Sequence, residues 1–71
     1  MEDLKKIGRT IVNLRKESKL TQEDLAGLSN LDRSYLSEIE NGRKNMSVKT
    51  FIKLSKSLNV KPSSLLEKSN L

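Results

Sequence analysis

Apolar residues recur along this chain at spacings of three and four positions, and no stretch sustains a strict alternation of apolar and polar residues. The first spacing is typical of amphipathic helices that bury one face, whereas alternation would favour half-buried strands. The sequence therefore predicts an all-α fold, a compact five-helix bundle with short connections. The helices are expected over residues of about 3–18, 22–29, 33–41, 48–58 and 62–67.

Local signals mark where these helices begin and end. Thr21 and Asp32 carry side-chain oxygens that can accept a hydrogen bond from a first-turn amide, so each is a candidate N-cap. Pro62 suits the first position of a helix, and Gly42 can adopt the left-handed conformation that closes one. Residues 21–41 thus predict two short helices joined by a tight turn. Such a helix-turn-helix can seat its second helix in a DNA major groove.

The pattern also predicts how the helices pack. Gly8 lies on the apolar stripe of the first helix, where the missing side chain would let another helix approach closely. Leu31 and Leu36 have the spacing of a hydrophobic staple at the start of the third helix. In the fourth helix, four residues are expected to face inward: Val48, Phe51, Leu54 and Leu58.

The residue types that are missing narrow the range of functions. The chain has 71 residues, with no cysteine and no histidine, so disulfides, most zinc sites and histidine-based catalysis are unavailable. This length allows one domain with one small core. No apolar run approaches a membrane span, and the polar start MEDLKK does not resemble a signal peptide. We expect a single-domain cytoplasmic protein that is not an enzyme and needs no cofactor, metal, membrane or small-molecule ligand.

Positive charge is concentrated in the second half of the chain. Residues 1–40 carry seven basic and eight acidic residues, whereas residues 41–71 carry seven basic residues and one acidic residue. The net charge of the whole chain is +5. A one-sided positive field suits a polyanion such as DNA. A lysine surface that only keeps a small protein soluble would have the same composition, so charge alone leaves both interpretations open.

Two segments resemble a known family. The run LTQEDLA at residues 20–26, followed by SYLSEIENG at residues 34–42, is similar to the lambda-repressor-like (Xre/Cro-type) helix-turn-helix domain. The resemblance extends over about residues 7–67. Within that family, SNLDRSYLS at residues 29–37 is most similar to controller proteins of restriction–modification systems, which are small dimers that bind operators upstream of their own genes.

The resemblance implies a sequence-specific transcriptional regulator, in its sharpest form an autoregulatory controller of a restriction–modification operon. Its partners would be double-stranded operator DNA with a palindromic sequence and a second copy of the chain. A phage-type repressor or an antitoxin remains an alternative. A protein-interaction helix bundle without DNA binding is an alternative of another class, and Arg33 and the basic loop at residues 43–45 argue against it.

The predicted DNA-binding residues lie on the helix-turn-helix and in the loop that follows it. Arg33, at the start of the recognition helix, could bond guanine O6 and N7 or clamp a phosphate. The resemblance places Gln22 at a phosphate, and Gln22 could also brace the start of the third helix. The full set is Gln22, Arg33, Ser34, Tyr35, Ser37, Glu38, Arg43, Lys44, Asn45 and Lys49.

Three positions, two of them in this set, have open or structural interpretations. Tyr35 could contact the DNA backbone through its hydroxyl or pack at the edge of the core. Glu38 departs from the small residue that is common at its position in controller proteins, so it either faces a cytosine amino group or leans away. Glu40 is expected to be structural, paired with Arg15 or another base of the first helix.

Apolar residues late in the chain exceed what one small core needs, which predicts a homodimer. The predicted dimer interface comprises Ile52, Leu65 and Leu66, with Leu71 as a further candidate.

Overall fold

The computed structural model describes residues 2–71 and confirms the predicted all-α fold. Its five helices are α1 (Glu2–Glu17), α2 (Gln22–Leu28), α3 (Arg33–Glu40), α4 (Val48–Ser57) and α5 (Pro62–Lys68). Every predicted boundary lies within one residue of the observed one. The helices form a compact bundle, with no strand between residues 2 and 71. Over the same range, none of the helices has the length and apolar character that crossing a membrane requires.

Side-chain caps start the middle three helices, two of them at the predicted residues Thr21 and Asp32. The Thr21 hydroxyl accepts a hydrogen bond from the Asp24 amide at 3.0 Å, and the Asp24 carboxylate accepts one from the Thr21 amide at 2.9 Å. The hydrogen bond from the Thr21 amide is the largest cause that lowers the pKa of Asp24, and the Thr21 hydroxyl adds to it. Asp32 and Ser47 cap α3 and α4 by accepting from the amide three residues further on. Pro62 occupies the first turn of α5.

All five helices close with the same backbone motif. A residue with positive φ follows each helix, and the next amide donates back to the carbonyl five residues earlier, as in a Schellman motif. The residues with positive φ are Lys19, Asn30, Gly42, Asn59 and Asn70. The residue that comes next is apolar after four helices, namely Leu20, Leu31, Val60 and Leu71. After α3 it is Arg43, which is exposed.

One core lies between the helices and draws on all of them. The buried apolar residues are Ile11, Leu25, Ala26, Leu36, Ile39, Leu54, Leu58 and Leu65, and Leu31 and Phe51 are among the half-buried residues packed against them. The assignment of Leu65 to a dimer interface is wrong, because its side chain is 0% exposed within a single copy. The prediction that Val48 faces inward is also wrong, because this first residue of α4 is 76% exposed. Helical side chains tilt toward the N-terminus, so the side chain of Val48 projects beyond the start of α4.

The backbones of α1 and α3 meet at Gly8, as predicted from its place on the apolar stripe. A Cβ atom at this position would lie 2.5 Å from the carbonyl oxygen of Glu40 and 2.7 Å from that of Ile39. Both distances are far shorter than normal contacts, and both neighbours are backbone atoms. Glycine at position 8 therefore sets how closely α3 can lie against α1.

The close contact at Gly8 predicts that Gly8→Ala destabilises the fold. The added methyl group must push α3 away from α1, and overpacking of this kind costs about 1–3 kcal/mol in the free energy of unfolding. Gly27→Ala is the matched control, because a Cβ atom at Gly27 meets nothing within 4 Å. In the helix α2 this control should stabilise by about 0.5–1 kcal/mol. Urea titrations of both variants check the prediction, and equal stabilities would contradict it.

Candidate nucleic-acid interface

The helix α3 buries one side and exposes the other. Leu36 and Ile39 are fully buried in the core, whereas Arg33 and Ser34 at the start of the helix are exposed. Ser37 is half-buried one turn further on. A guanidinium group and hydroxyl groups therefore project from the N-terminal half of α3, and groups of this kind donate hydrogen bonds to phosphate oxygens and to base edges.

A buried ion pair holds the other end of α3. Arg15 of α1 donates to both carboxylate oxygens of Glu40, at 2.8 Å from Nε and 3.2 Å from Nη2. Only 12% of the Arg15 side chain and 3% of the Glu40 side chain are exposed. Arg15 Nη1 also donates to the carbonyl of Leu20, at 2.9 Å. The predicted pairing of Arg15 with Glu40 is therefore present.

Gln22 connects this ion pair to the start of α3. Its Nε2 donates to Glu40 Oε1 at 2.9 Å, and its Oε1 accepts from Arg33 Nη1 at 3.4 Å. Gln22 thus braces the start of the third helix, which was one of its two predicted roles. The sequence indicated the Arg15–Glu40 pair and the Gln22 brace separately. Arg15 and Gln22 both donate to the same Glu40 oxygen, Oε1. This shared acceptor depends on how α1, α2 and α3 pack together, and the spacing of residues along the chain does not predict it.

Tyr35 joins α3 to the loop that follows it. Its ring packs against the core, and its hydroxyl donates to the carbonyl of Asn45 at 3.3 Å. The Asn45 side chain accepts from the amide of Met46 at 2.9 Å. Tyr35 therefore packs at the edge of the core, which was one of its two predicted roles. Its hydroxyl and the Asn45 side chain both hold the loop in place.

The loop between α3 and α4 places further cations beside the exposed side of α3. Arg43 and Lys44 are exposed in this loop, and Lys49 is exposed in the first turn of α4. Glu38 is half-buried, and its backbone carbonyl accepts from the Arg43 amide at 3.0 Å. The structure thus brings Arg33, Arg43 and Lys44 to the two ends of one short helix, a distribution of charge that suits a polyanion.

An apolar groove borders this loop. Its lining residues come from α1, the loop, α4 and α5: Leu4, Ile7, Asn45, Met46, Ser47, Val48, Phe51 and Leu66. Two of the predicted interface residues remain available at the surface, since Ile52 is 36% exposed and Leu66 is 38% exposed. The signal that sequence reasoning missed here is Val48, which adds an exposed apolar side chain to the groove.

Comparison with known proteins places this architecture among DNA-binding regulators. A family model described as "Helix-turn-helix" matches residues 11–65. The control protein C.MunI of a Mycoplasma species is 42% identical over 67 residues, covering 92% of this chain and 90% of that protein. The immunity repressor protein of Bacillus phage phi105 is 40% identical over 65 residues, but the chain spans only 45% of that repressor.

Solved structures agree with this result. The restriction-modification controller protein C.AhdI from Aeromonas hydrophila superposes with a TM-score of 0.89 at 42% identity, over 92% of this chain and 98% of that chain. The controller protein C.Esp1396I, crystallised as a tetramer in complex with its natural 35-base-pair operator, gives a TM-score of 0.87 at 38% identity, over 96% and 90% of the two chains. The predicted resemblance to restriction–modification controllers is confirmed.

Proposed function

Because the chain belongs to the helix-turn-helix family, we propose that it is a sequence-specific DNA-binding transcriptional regulator in the cytoplasm, built as one domain. The observation that carries this proposal is the exposed side of α3. There, the donors of Arg33 and Ser34 lie at one end of the helix, and the cations Arg43 and Lys44 follow its other end. A helix that is anchored on its buried side and flanked by cations fits a major groove bordered by phosphates.

The sharpest form of the proposal is an autoregulatory controller of a restriction–modification operon. It is supported by the likeness to C.MunI and C.AhdI, both of which the chain covers almost completely. The phage repressor alternative is supported by the likeness to the phi105 immunity repressor. Neighbouring genes separate the controller from the antitoxin alternative. Genes for a restriction endonuclease and a methyltransferase support the controller, whereas a toxin gene supports an antitoxin.

The proposed DNA contacts divide by position. At the start of α3, Arg33 reads a base, and Ser34 and Ser37 touch base, sugar or phosphate. Glu38 lies further along the helix, where its carboxylate would face a base-edge donor such as the amino group of a cytosine. The remaining members of the proposed set contact the DNA backbone: Gln22, Tyr35, Arg43, Lys44, Asn45 and Lys49.

We also propose that the chain binds its operator as a homodimer. One copy carries one recognition helix and measures 26 × 22 × 21 Å, whereas successive half-sites of a palindrome lie about 34 Å apart. Two copies related by a two-fold axis are therefore needed to read both half-sites. The face proposed to join them consists of the apolar groove, with its exposed residues Val48 and Leu66, and the exposed Ile52 of α4.

The DNA-binding proposal is tested by gel shift with the DNA upstream of the protein's own gene. Binding should weaken steeply with salt, because each cation that neutralises a phosphate contributes about 0.9 to the slope of log K against log salt. Arg43→Ala or Lys44→Ala should reduce that slope by about one and weaken all sequences similarly. Lys68→Ala is the control, since Lys68 lies at the end of α5. An unchanged slope in Arg43→Ala would show that Arg43 does not contact the DNA backbone.

Arg33→Ala should lower affinity for the operator by about 1–3 kcal/mol and affinity for scrambled DNA much less. The reason is that a guanidinium group at the start of the recognition helix can make two parallel bonds to guanine, which scrambled DNA does not present in register. Binding of the variant to both DNAs at one salt concentration measures the ratio. Equal losses on the two DNAs would instead make Arg33 a phosphate clamp.

Sedimentation equilibrium at micromolar concentration should show the wild-type protein as a dimer. Ile52→Glu should shift it to the monomer, because a carboxylate in an apolar interface has no partner and keeps its desolvation cost. Leu28→Glu is the matched control, as Leu28 is an exposed apolar residue on α2, outside the groove. A wild-type monomer, or dissociation by both substitutions, would count against the proposed face.

A further inference from the structure

One residue of α1 lies over the junction between α3 and the basic loop. A Cβ atom at Gly42 would lie 2.6 Å from Lys5 Cγ, 2.8 Å from Lys5 Cα and 3.0 Å from the Lys5 backbone nitrogen. Gly42 is buried, and it has the positive φ that closes α3. Because Arg43 follows directly, the stem of Lys5 packs against the backbone from which the basic loop begins.

The side of α1 that carries Lys5 is the side that packs on α3. Gly8 lies three residues further along the helix, and it meets the backbone carbonyl of Glu40. Residues three and four apart share one side of a helix, so Lys5 and Gly8 both lie toward the C-terminal end of α3. The neighbouring Lys6 lies on another side of α1, where it lines a hollow together with Lys68 of α5.

The positive charge of Lys5 is not neutralised within the fold. Lys5 is exposed, and neither of the two ion pairs that form among residues 2–71 involves it. A lysine packs its aliphatic stem on a surface and keeps its ammonium group in water. The stem over Gly42 therefore brings the ammonium group of Lys5 to the end of α3 that the cations Arg43 and Lys44 follow.

We propose that Lys5 is a further DNA-binding residue, which neutralises a backbone phosphate next to those bound by Arg43 and Lys44. This inference rests on the proposed function and deepens it, because it extends the contact with the DNA backbone to α1. Lysine acts on a phosphate as a point charge with three rotatable donors, so the contact needs no fixed orientation of the side chain. Lys5 lies outside residues 11–65, the part of the chain that matches the family model.

A purely structural role for Lys5 makes a different prediction. A cation at the C-terminal end of a helix interacts favourably with the helix dipole, which would stabilise α3 without any DNA. Loss of that interaction would lower the stability of the free protein and leave the salt dependence of DNA binding unchanged. Loss of a phosphate contact changes the salt dependence, because fewer counterions are released from the DNA.

The experiment compares Lys5→Gln with Lys6→Gln in the full chain. The two variants lose the same charge from adjacent positions on different sides of α1. Each is titrated over a range of salt concentrations on the upstream DNA and on a scrambled fragment of the same length. Lys5→Gln should reduce the slope of log K against log salt by about 0.9 on both DNAs, whereas Lys6→Gln should keep the wild-type slope. Equal slopes in the two variants would overturn the proposal.

Lys5→Arg tests whether the charge is responsible for the effect. Because it restores a cation at this position, it should retain the wild-type slope. Urea titration of every variant verifies that the fold is intact. A less stable Lys5→Gln that keeps the wild-type slope would make Lys5 a partner of the helix dipole and would overturn the phosphate contact.

NMR of the lysine ammonium groups gives a test that needs no substitution. When the wild-type protein is saturated with the upstream DNA, the Nζ signal of Lys5 should shift and that of Lys6 should not. An unchanged Lys5 signal would overturn the proposal even if the protein binds its operator. A wild-type protein that binds both DNAs equally would refute sequence-specific regulation, while the slopes would still decide whether Lys5 contacts a phosphate. A wild-type protein that binds neither DNA would refute both.

Discussion

The buried ion pair between Arg15 and Glu40 is the constraint on which the arrangement of α1, α2 and α3 depends. Taking two charges out of water costs several kcal/mol per ion, and their attraction offsets this only when the remaining polar atoms also find partners. Here the Leu20 carbonyl and the Gln22 amide complete the set. Between residues 2 and 71, no buried side-chain nitrogen or oxygen lacks a hydrogen-bond partner. Loss of one partner would leave a buried charge unpaired, so the ion pair fixes the relative arrangement of all three helices.

Glu40 takes part in this constraint through its backbone as well. Its carbonyl oxygen lies against Gly8, while its carboxylate binds Arg15 two turns further along α1. The first contact sets the distance between α1 and α3, and the second sets their alignment along the helix axes. The C-terminal end of α3 is therefore located by the core, and the N-terminal end, with Arg33, is left to face outward.

Periodicity and start signals were enough to predict the five helices: all have apolar residues at helical spacing, and Thr21, Asp32 and Pro62 mark where three of them begin. Burial at single positions was harder to predict. Val48 and Leu65 are both apolar residues on amphipathic helices, and which of them enters the core depends on where α4 and α5 cross their neighbours. Likewise, the bond from Gln22 to Arg33 joins residues that the sequence suggested for other reasons. Local spacing indicates an element, but only the packing decides which partners meet.

The closing motif of α3 has a consequence for the entropy of binding. After the other four helices, the residue that follows the positive-φ residue is apolar. After α3, the residue at this position is Arg43. The Arg43 amide is bonded to Glu38, so its backbone conformation is already fixed in the free protein. Ordering one residue's backbone costs about 1–2 kcal/mol, and here that loss occurs on folding. When Arg43 meets an anion, only its side-chain rotamers remain to be restricted.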